Sequence, residues 1–275
     1  MAIAPHIRRC CPRLWFFFRS LRYRYWKGEN EIHVLHHIVP PGRLAIDVGS
    51  SVGLYSKELA RLVPRVVAFE ADPGVAALAR QVAPRNVEVV NAALSAANGS
   101  ATLRIPLNAR GRPVGDRASI ERPGAVTESR FTTVEVATRR LDDCGYADCG
   151  FIKIDVEAHE EAVLDGAQRL IEASRPVLMI ELDDGLNPGA IGRVTGRLSR
   201  SSYDGYFLSH CELRPLSEFD MARHQNFKAY AALPPRQRRN AEYINNFIFI
   251  PHEAPLPRIV RQDAAHGPRR EPESR

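Results

Sequence analysis

Acidic residues and glycines stand at fixed spacings where apolar segments of this sequence end. Asp47 is the second-to-last residue of the segment RLAIDV, and Gly49, Ser51 and Gly53 follow that segment. Glycines allow a sharp turn and a close approach of the backbone to a ligand. The dinucleotide fingerprint Gly-x-Gly-x-x-Gly is absent, because these two glycines are four residues apart. A carboxylate at Asp47 disfavours a pyrophosphate and favours a ligand with cationic or hydrogen-bond-donating groups.

S-adenosylmethionine has the properties that such a loop selects, since it carries an ammonium group and a positive sulfonium but no phosphate. Glu70 ends the next apolar segment, where an acid accepts hydrogen bonds from both ribose hydroxyls. We therefore predict that Asp47, Gly49, Ser51, Gly53 and Glu70 bind this cofactor. The alternative is a helix-capping acid beside an unrelated turn.

A second group of polar residues lies at the end of the segment FIKIDV and just after it. Asp155 and Glu157 are two residues apart, so their side chains point to one side of the strand. His159 comes next, and histidine suits a general base that takes a proton from a hydroxyl. We predict these three as catalytic residues, with Asp155 also binding the cofactor; a histidine at a helix start or on the surface is the alternative. Glu160 and Glu161 are expected as first-turn acids that favour a helix dipole.

Further polar residues end two other apolar segments. Glu181 and Asp183, in MIELDDG, are predicted together with Asp155 to bind Mg²⁺ through oxygen ligands. Asn91, at the end of VEVVN, is expected to reach the adenine edge of the cofactor.

The elements that position these residues alternate between strand-like and helix-like patterns. Strands are predicted at 43–48, 65–70, 87–92, 151–156, 176–182, 203–209 and 243–250, and helices near 53–62, 74–83, 159–172 and 188–200. The first five strands are nearly continuous in apolar residues, as strands buried on both faces are. The pattern predicts a doubly wound α/β fold: a mostly parallel, seven-stranded Rossmann-like sheet with an antiparallel carboxyl-terminal edge.

The chain divides into three predicted parts. Residues 1–28 form a basic, aromatic arm, residues 29–252 the α/β domain, and residues 253–275 a tail of disordered composition. The segments ATLRIP and FTTVEVAT predict an added hairpin or ladder. Residues 106–130 lie largely between them and are predicted to be a substrate lid, with a tolerated surface insertion as the alternative.

Composition bounds the location of the protein. No apolar run approaches the roughly 20 residues of a membrane span, and the short apolar run LWFFF does not fit a signal peptide. The five cysteines show neither a disulfide framework nor a zinc spacing. We expect a cytoplasmic location, with peripheral membrane contact through residues 6–27 as a possibility, because that stretch is basic and aromatic and contains no acid. Packing of this stretch on the domain is the favoured alternative.

Several motifs in order resemble the FkbM-type methyltransferases, a family of the class I S-adenosylmethionine-dependent fold. They include LAIDVGSSVGLYS, VVAFEADP, NVEVVNAALS, TRRLDDCG, FIKIDVEAHEEAVLDGA and RPVLMIEL, within roughly residues 26–183. The resemblance implies methyl transfer, usually to a hydroxyl of a sugar or natural product. Ser51 and Ala158 depart from the pattern, because the family commonly has Asn and Gly there.

The expected partner is therefore a small-molecule or glycan acceptor, including a glycolipid. The basic arm prompts a nucleic-acid methyltransferase as the enzyme alternative, but the Pro-Pro-aromatic and Pro-Cys motifs of base methylation are absent. A non-catalytic module that recruits a partner through the arm is the second alternative.

Overall fold

The computed structural model describes residues 10–23, 30–108, 111, 118–120, 130–210, 212–234 and 242–257 of the 275-residue chain. The strands are β1 (Leu44–Val48), β2 (Val66–Glu70), β3 (Val87–Asn91), β4 (Ala93–Leu94), β5 (Gly99–Pro106), β6 (Phe131–Arg139), β7 (Cys149–Ile154), β8 (Val177–Glu181), β9 (Tyr203–Ser209), β10 (Glu212–Pro215) and β11 (Asn246–Pro251). The helices are α1 (Pro12–Arg22), α2 (Glu31–Ile38), α3 (Leu54–Leu59), α4 (Pro73–Val82), α5 (Glu160–Gly166), α6 (Gln168–Ser174), α7 (Ala190–Arg200), α8 (Met221–His224) and α9 (Phe227–Ala232).

Eight of these strands form one sheet in the order β3-β2-β1-β7-β8-β11-β9-β10. The five strands from β3 to β8 are parallel to their neighbours. Strand β11 is antiparallel to both β8 and β9. The prediction of a doubly wound, mostly parallel α/β sheet with an antiparallel carboxyl-terminal region is confirmed.

The edge of the sheet differs in one detail from the prediction. The last strand, β11, lies between β8 and β9, and the edge is formed by β10, which pairs antiparallel with β9. Strand β10 has the sequence ELRP and is only partly buried. Four residues without apolar alternation give no strand signal, so this eighth strand was not predicted.

Two apolar cores cover the two faces of the sheet, as the alternation of side chains along a strand requires. On one face, Ala45 of β1 packs in a core with Leu35 of α2 and Leu59 of α3. On the other face, Ile46 shares a core with Val194 of α7. Because both faces of the sheet are covered, a ligand can reach the central strands only at their ends.

A small second sheet follows β3. Strands β5 and β6 pair antiparallel from Gly99 opposite Thr138 to Pro106 opposite Phe131, and β4 runs parallel to β6. The predicted hairpin is confirmed. The predicted helix over 159–172 is two helices, α5 and α6, which meet at Ala167.

Parts of the predicted arm, lid and tail lie outside the described residues: 1–9 and 24–28 of the arm, 109–110, 112–117 and 121–129 of the lid, and 258–275 of the tail. In the part of the chain that the structure describes, no helix is both long and apolar enough to cross a membrane.

Candidate functional site

A cavity of about 330 Å³ opens at the carboxyl ends of β1, β2, β7 and β8. This edge is where open α/β sheets bind ligands. The predicted site residues that line the cavity are Asp47, Gly49, Ser51, Glu70, Asp155, Glu157, His159 and Glu181. The predicted residues Gly53, Asn91 and Asp183 do not line it.

The loop after β1 holds its shape through left-handed backbone conformations. Gly49 has φ 78°, and a Cβ there would lie 1.7 Å from the main-chain oxygen of Asp155. The amides of Gly49 and Ser50 both donate to the Phe69 carbonyl, at 2.9 and 3.0 Å. Gly53, with φ 85°, precedes α3 and starts that helix. Only glycine allows the main chains after β1 and β7 to touch in this way.

Glu70 ties this loop to the end of β2. Its two carboxylate oxygens accept hydrogen bonds from the amides of Ser51 and Asp72, each at 2.8 Å. Burial raises the pKa of Glu70 to about 7. The amide group of Asn91 donates to the carbonyls of Glu70 and Ala71, both at 2.9 Å. Asn91 therefore supports the turn that carries Glu70, instead of lining the cavity at the predicted adenine edge.

Asp47 lines the cavity and is paired with Lys153 of the neighbouring strand β7. The Asp47 carboxylate accepts a hydrogen bond from the Ser56 hydroxyl at 2.5 Å, and burial raises its pKa to about 6. Lys153 stands opposite Asp47 in the pairing of β1 with β7, and its ammonium lies 3.2 Å from a carboxylate oxygen of Asp155. Its side chain is 1% exposed and lies 5.0 Å from the centre of the Tyr55 ring. The lysine was not predicted as part of the site.

Charge in the cavity is predominantly acidic. Burial alone would raise the pKa of Asp155, but the Lys153 ammonium and a hydrogen bond with Glu181 hold it below its ordinary value. The carboxyl groups that line the cavity belong to Asp47, Glu70, Asp155, Glu157 and Glu181, and Arg19 is the guanidinium among the described lining residues. A low-dielectric cavity with this charge balance attracts cationic groups and repels phosphates.

The turn after β7 presents the predicted catalytic residues. Glu157 and Ala158 are consecutive left-handed residues, with φ 53° and 76°. His159 is buried, and its Nε2 lies 3.0 Å from the Ser95 hydroxyl oxygen. Glu160 and Glu161 occupy the first turn of α5, as expected.

Glu160 has an additional part in this turn. It is buried, its carboxylate accepts a hydrogen bond from the Ala158 amide at 3.0 Å, and burial raises its pKa to about 7. Glu161 instead pairs with Arg193 at 2.8 Å. Glu160 therefore braces the strained turn that carries Glu157 and Ala158.

Two separate segments also line the cavity. Ala118, Ser119 and Ile120, from the predicted lid, line it, and the Ser119 hydroxyl donates to the Glu157 carbonyl at 2.5 Å. Ser119 also exchanges two backbone hydrogen bonds with Arg104 of β5, at 2.9 and 3.0 Å. Helix α1 contributes Arg19, and Tyr23 follows that helix.

Two of the predicted Mg²⁺ ligands, Glu181 and Asp183, have hydrogen-bond partners within the protein. The Asp183 carboxylate accepts hydrogen bonds from the Tyr243 hydroxyl at 2.7 Å and from the Gly185 amide at 2.8 Å. The Asn245 amide donates to Glu181. No group of three or more His, Cys, Asp or Glu residues in the described ranges could hold a metal ion. The structure does not support the metal prediction for Asp155, Glu181 and Asp183.

The sheet order, the antiparallel β11 between β8 and β9, and the acid-bearing glycine loop after β1 define the class I methyltransferase fold. The profile of the methyltransferase FkbM domain matches residues 47–202, which is more than half of the chain. The protein belongs to this family, and the predicted resemblance is confirmed.

Solved structures with a similar fold share little sequence with this chain. The methyltransferase FkbM from Methylobacillus flagellatus is 15% identical, with a TM-score of 0.48, over 89% of this chain and 60% of that chain. A putative methyltransferase from Streptococcus mutans, in complex with SAH, is 11% identical with a TM-score of 0.42, over 80% of this chain and 94% of that chain. A TehB-like SAM-dependent methyltransferase from Corynebacterium glutamicum is 11% identical with a TM-score of 0.43, over 89% of this chain and 98% of that chain.

This chain thus spans 60% of the length of the Methylobacillus protein. A comparison with curated protein sequences found no match.

Proposed function

We propose that this chain is an S-adenosylmethionine-dependent methyltransferase that methylates a hydroxyl of a sugar, glycolipid or natural product. The observation that carries the proposal is the acidic cavity at the carboxyl edge of the sheet, with Asp47, Glu70 and Asp155 around a glycine loop. A site for a dinucleotide would present backbone amides to a pyrophosphate without opposing carboxylates. A ligand with a sulfonium and an ammonium group gains from the same acids.

The residues present fit this cofactor. Each oxygen of Glu70 that accepts a backbone amide keeps a second lone pair, which suits two ribose hydroxyls. Asp47 and Asp155 supply negative charge for the cationic groups. The buried Ser50 hydroxyl lines the cavity and has no hydrogen-bond partner among the described residues, so it offers a donor for a ligand carboxylate. When bound, S-adenosylmethionine supplies an electrophilic methyl group.

The chain's own contribution to the chemistry is to hold the acceptor hydroxyl and take its proton. His159 lines the cavity, and the Ser95 hydroxyl fixes its ring at Nε2. A positioned base of this kind contributes about 10²- to 10⁴-fold to rate. Holding the hydroxyl in line contributes further by removing the entropy cost of encounter.

An aromatic cluster that contacts the segment after the cavity residue Glu181 favours a sugar-like acceptor. Phe227 is 63% exposed, and its ring lies 6.2 Å from that of Tyr243, which in turn lies 5.1 Å from Tyr230. The Tyr243 hydroxyl donates to Asp183, two residues beyond the cavity residue Glu181. Apolar ring faces next to carboxylates match a sugar, which has apolar C–H faces and hydroxyl donors.

The first test is calorimetric titration with S-adenosylmethionine, its demethylated product and NAD⁺. We expect the first two to bind and NAD⁺ not to bind. Asp47→Asn keeps the acceptor for the Ser56 hydroxyl but removes the charge, so the affinity for S-adenosylmethionine should fall about tenfold to hundredfold. Asp165→Asn is the matched control, because Asp165 is an exposed acid that pairs with Arg197. Failure of folded protein to bind the sulfonium ligand would refute the proposal.

The same titration has a defined pH dependence. The pKa values of about 6 for Asp47 and about 7 for Glu70 mean that both acids lose their charge as the pH falls. The affinity for S-adenosylmethionine should therefore weaken between about pH 8 and about pH 5.5. In Asp47→Asn the step near pH 6 should disappear, and its persistence would assign that titration to another group.

The class of acceptor is tested with cofactor labelled in the methyl group. We expect label on hydroxyls of glycosides or glycolipids rather than on nucleic acid or peptide amines. His159→Gln should lower the rate of transfer by about 10²-fold or more while leaving cofactor affinity within about twofold. Transfer to nucleic acid alone would replace the sugar acceptor with the alternative that the basic arm suggests.

A further inference from the structure

Helix α1 carries an apolar ridge on its outward face. Leu14, Phe17 and Phe18 are 49%, 50% and 47% exposed. At 3.6 residues per turn, these positions and Leu21 share one face of the helix. Exposed large apolar residues that cluster on one face, rather than occurring singly, mark an interaction surface.

Contacts between another face of α1 and the domain set the orientation of this ridge. Phe16 is buried and packs with Val52 and Leu78 beside the glycine loop. The Lys57 ammonium donates to the buried Ser20 hydroxyl at 2.5 Å and lies 5.5 Å from the centre of the Phe16 ring. These contacts hold one side of α1 against the domain. Phe17 borders that side, with its ring centre 5.8 Å from the Lys57 ammonium, and Leu14 and Phe18 lie farther round the helix.

Cationic side chains flank the ridge. Arg13 and Arg22 are exposed, and at about 100° per residue they fall on opposite sides of the apolar stripe. The helix contains no acidic residue, and neither does the stretch 6–27 in the sequence. An apolar stripe bordered by arginines complements acyl chains bordered by anionic headgroups.

We propose that α1 binds the surface of an anionic lipid bilayer, with Leu14, Phe17 and Phe18 inserted below the headgroups and Arg13 and Arg22 against them. Eleven residues rise about 16 Å, so the helix lies along the surface. The charge pattern favours this occupant over a protein partner, because the cations border the apolar stripe on both sides instead of facing one acidic patch.

The placement of α1 connects this surface to the cavity. Arg19 and Tyr23 line the cavity, so its rim lies within about one helix diameter, roughly 10 Å, of the bound lipid. The proposal adds a membrane-borne acceptor to the proposed function. Lipid binding itself requires no methyl transfer, so the two proposals can fail separately.

The test is co-sedimentation of the full chain with vesicles of phosphatidylcholine, with and without phosphatidylglycerol. We expect binding to the anionic vesicles that weakens with added salt. The triple substitution Leu14→Ser, Phe17→Ser and Phe18→Ser should weaken it at least about tenfold. A matched triple control, Phe131→Ser, Met221→Ser and Leu256→Ser, removes residues that are 44%, 46% and 56% exposed elsewhere and should not change it.

A charge variant gives a second, milder measurement. Arg13→Gln with Arg22→Gln should weaken binding to anionic vesicles about tenfold and leave the low affinity for neutral vesicles unchanged. Arg85→Gln with Arg200→Gln is the control with the same net charge. Thermal melting of each variant verifies that it is folded.

Three outcomes would overturn the proposal. One is that folded wild-type protein binds neither kind of vesicle. The second is equal loss of binding in the ridge variant and its matched control. The third is self-association of the wild-type chain in sedimentation experiments that the ridge substitutions abolish, because α1 would then bind a second copy instead of lipid.

Discussion

The two sides of the cavity are built in different ways. The side that we propose for the cofactor comes mainly from one continuous stretch, residues 47–72, with Asp155 added from the end of β7. In that stretch the amides of Gly49 and Ser50 donate to the Phe69 carbonyl, and those of Ser51 and Asp72 donate to the Glu70 carboxylate. The side that we propose for the acceptor is assembled from the segment 118–120 and the turn after β7. The first side is fixed by the central sheet, whereas the second depends on contacts between separate segments.

This difference makes the cofactor side intolerant of change in its main chain and leaves the acceptor side open to change in its side chains. The acids Asp47 and Glu70 are held at raised pKa values by burial in the sheet edge. Ser119, by contrast, comes from the insertion between β5 and β6 and donates its hydroxyl to the Glu157 carbonyl.

The largest effect is expected where the two sides touch. Gly49→Ala places a Cβ 1.7 Å from the Asp155 main-chain oxygen, so it should destabilise the fold by about 3 kcal/mol or more and abolish cofactor binding. Gly53 has a similar φ, but the Cβ that Gly53→Ala adds would lie 3.7 Å from its nearest neighbouring atom. It should cost only about 1 kcal/mol. Denaturant unfolding of the pair measures the difference, and equal costs would mean that φ rather than contact sets them.

An intermediate effect is expected beside the acids of the cavity. Lys153→Met removes an ammonium that lowers the pKa values of Asp47 and Asp155, so both values should rise. Because Asp47 already titrates near pH 6, the loss of cofactor binding on acidification should move to a higher pH than in the wild-type protein. Lys228→Met, on the exposed surface of α9, is the matched control. An unshifted pH profile would show that this lysine does not set the charge of the cavity acids.

The smallest effect is expected in the turn after β7 and has the opposite sign. Ala158 has φ 76°, a left-handed conformation that disfavours a Cβ. Ala158→Gly should therefore stabilise the protein by roughly 0.5–1 kcal/mol, seen as a higher denaturation midpoint. Ala162→Gly, inside α5, is the control and should destabilise by about 1 kcal/mol. A loss of stability in Ala158→Gly would show that the methyl group packs usefully.

Sequence patterns located the acids that line the cavity because these residues stand at strand ends. Apolar strands identify their own carboxyl ends, and those ends meet at one edge of a parallel sheet. The positions of Asp47, Glu70 and Asp155 around one cavity follow from that rule. Asn91 also ends a strand, but its amide turns back to the carbonyls of Glu70 and Ala71. The direction in which a side chain points at a strand end is set by the turn that follows. The apolar periodicity of the sequence does not predict that turn.

The acceptor side was less predictable because its contacts join distant parts of the chain. Ser119 meets Glu157 from within an insertion that has no periodic pattern. Lys153 had a detectable signal, since a lysine inside an otherwise apolar, doubly buried strand requires a nearby acid. The metal prediction failed for the same reason, because the partners of Asp183 and Glu181 come from residues 243–245.

The attachment of segment 118–120 to the hairpin β5–β6 has a consequence for how such a protein diversifies. The hairpin closes the insertion at its base through the pairing of Pro106 with Phe131, outside the main sheet. Doubling the length of a loop that is closed in this way costs only about 0.6 kcal/mol. Insertions and deletions there should therefore cost the fold little and leave the strand ends around Asp47 and Glu70 unchanged. Under the proposed function, a change in loop length is then the least costly way to change the acceptor.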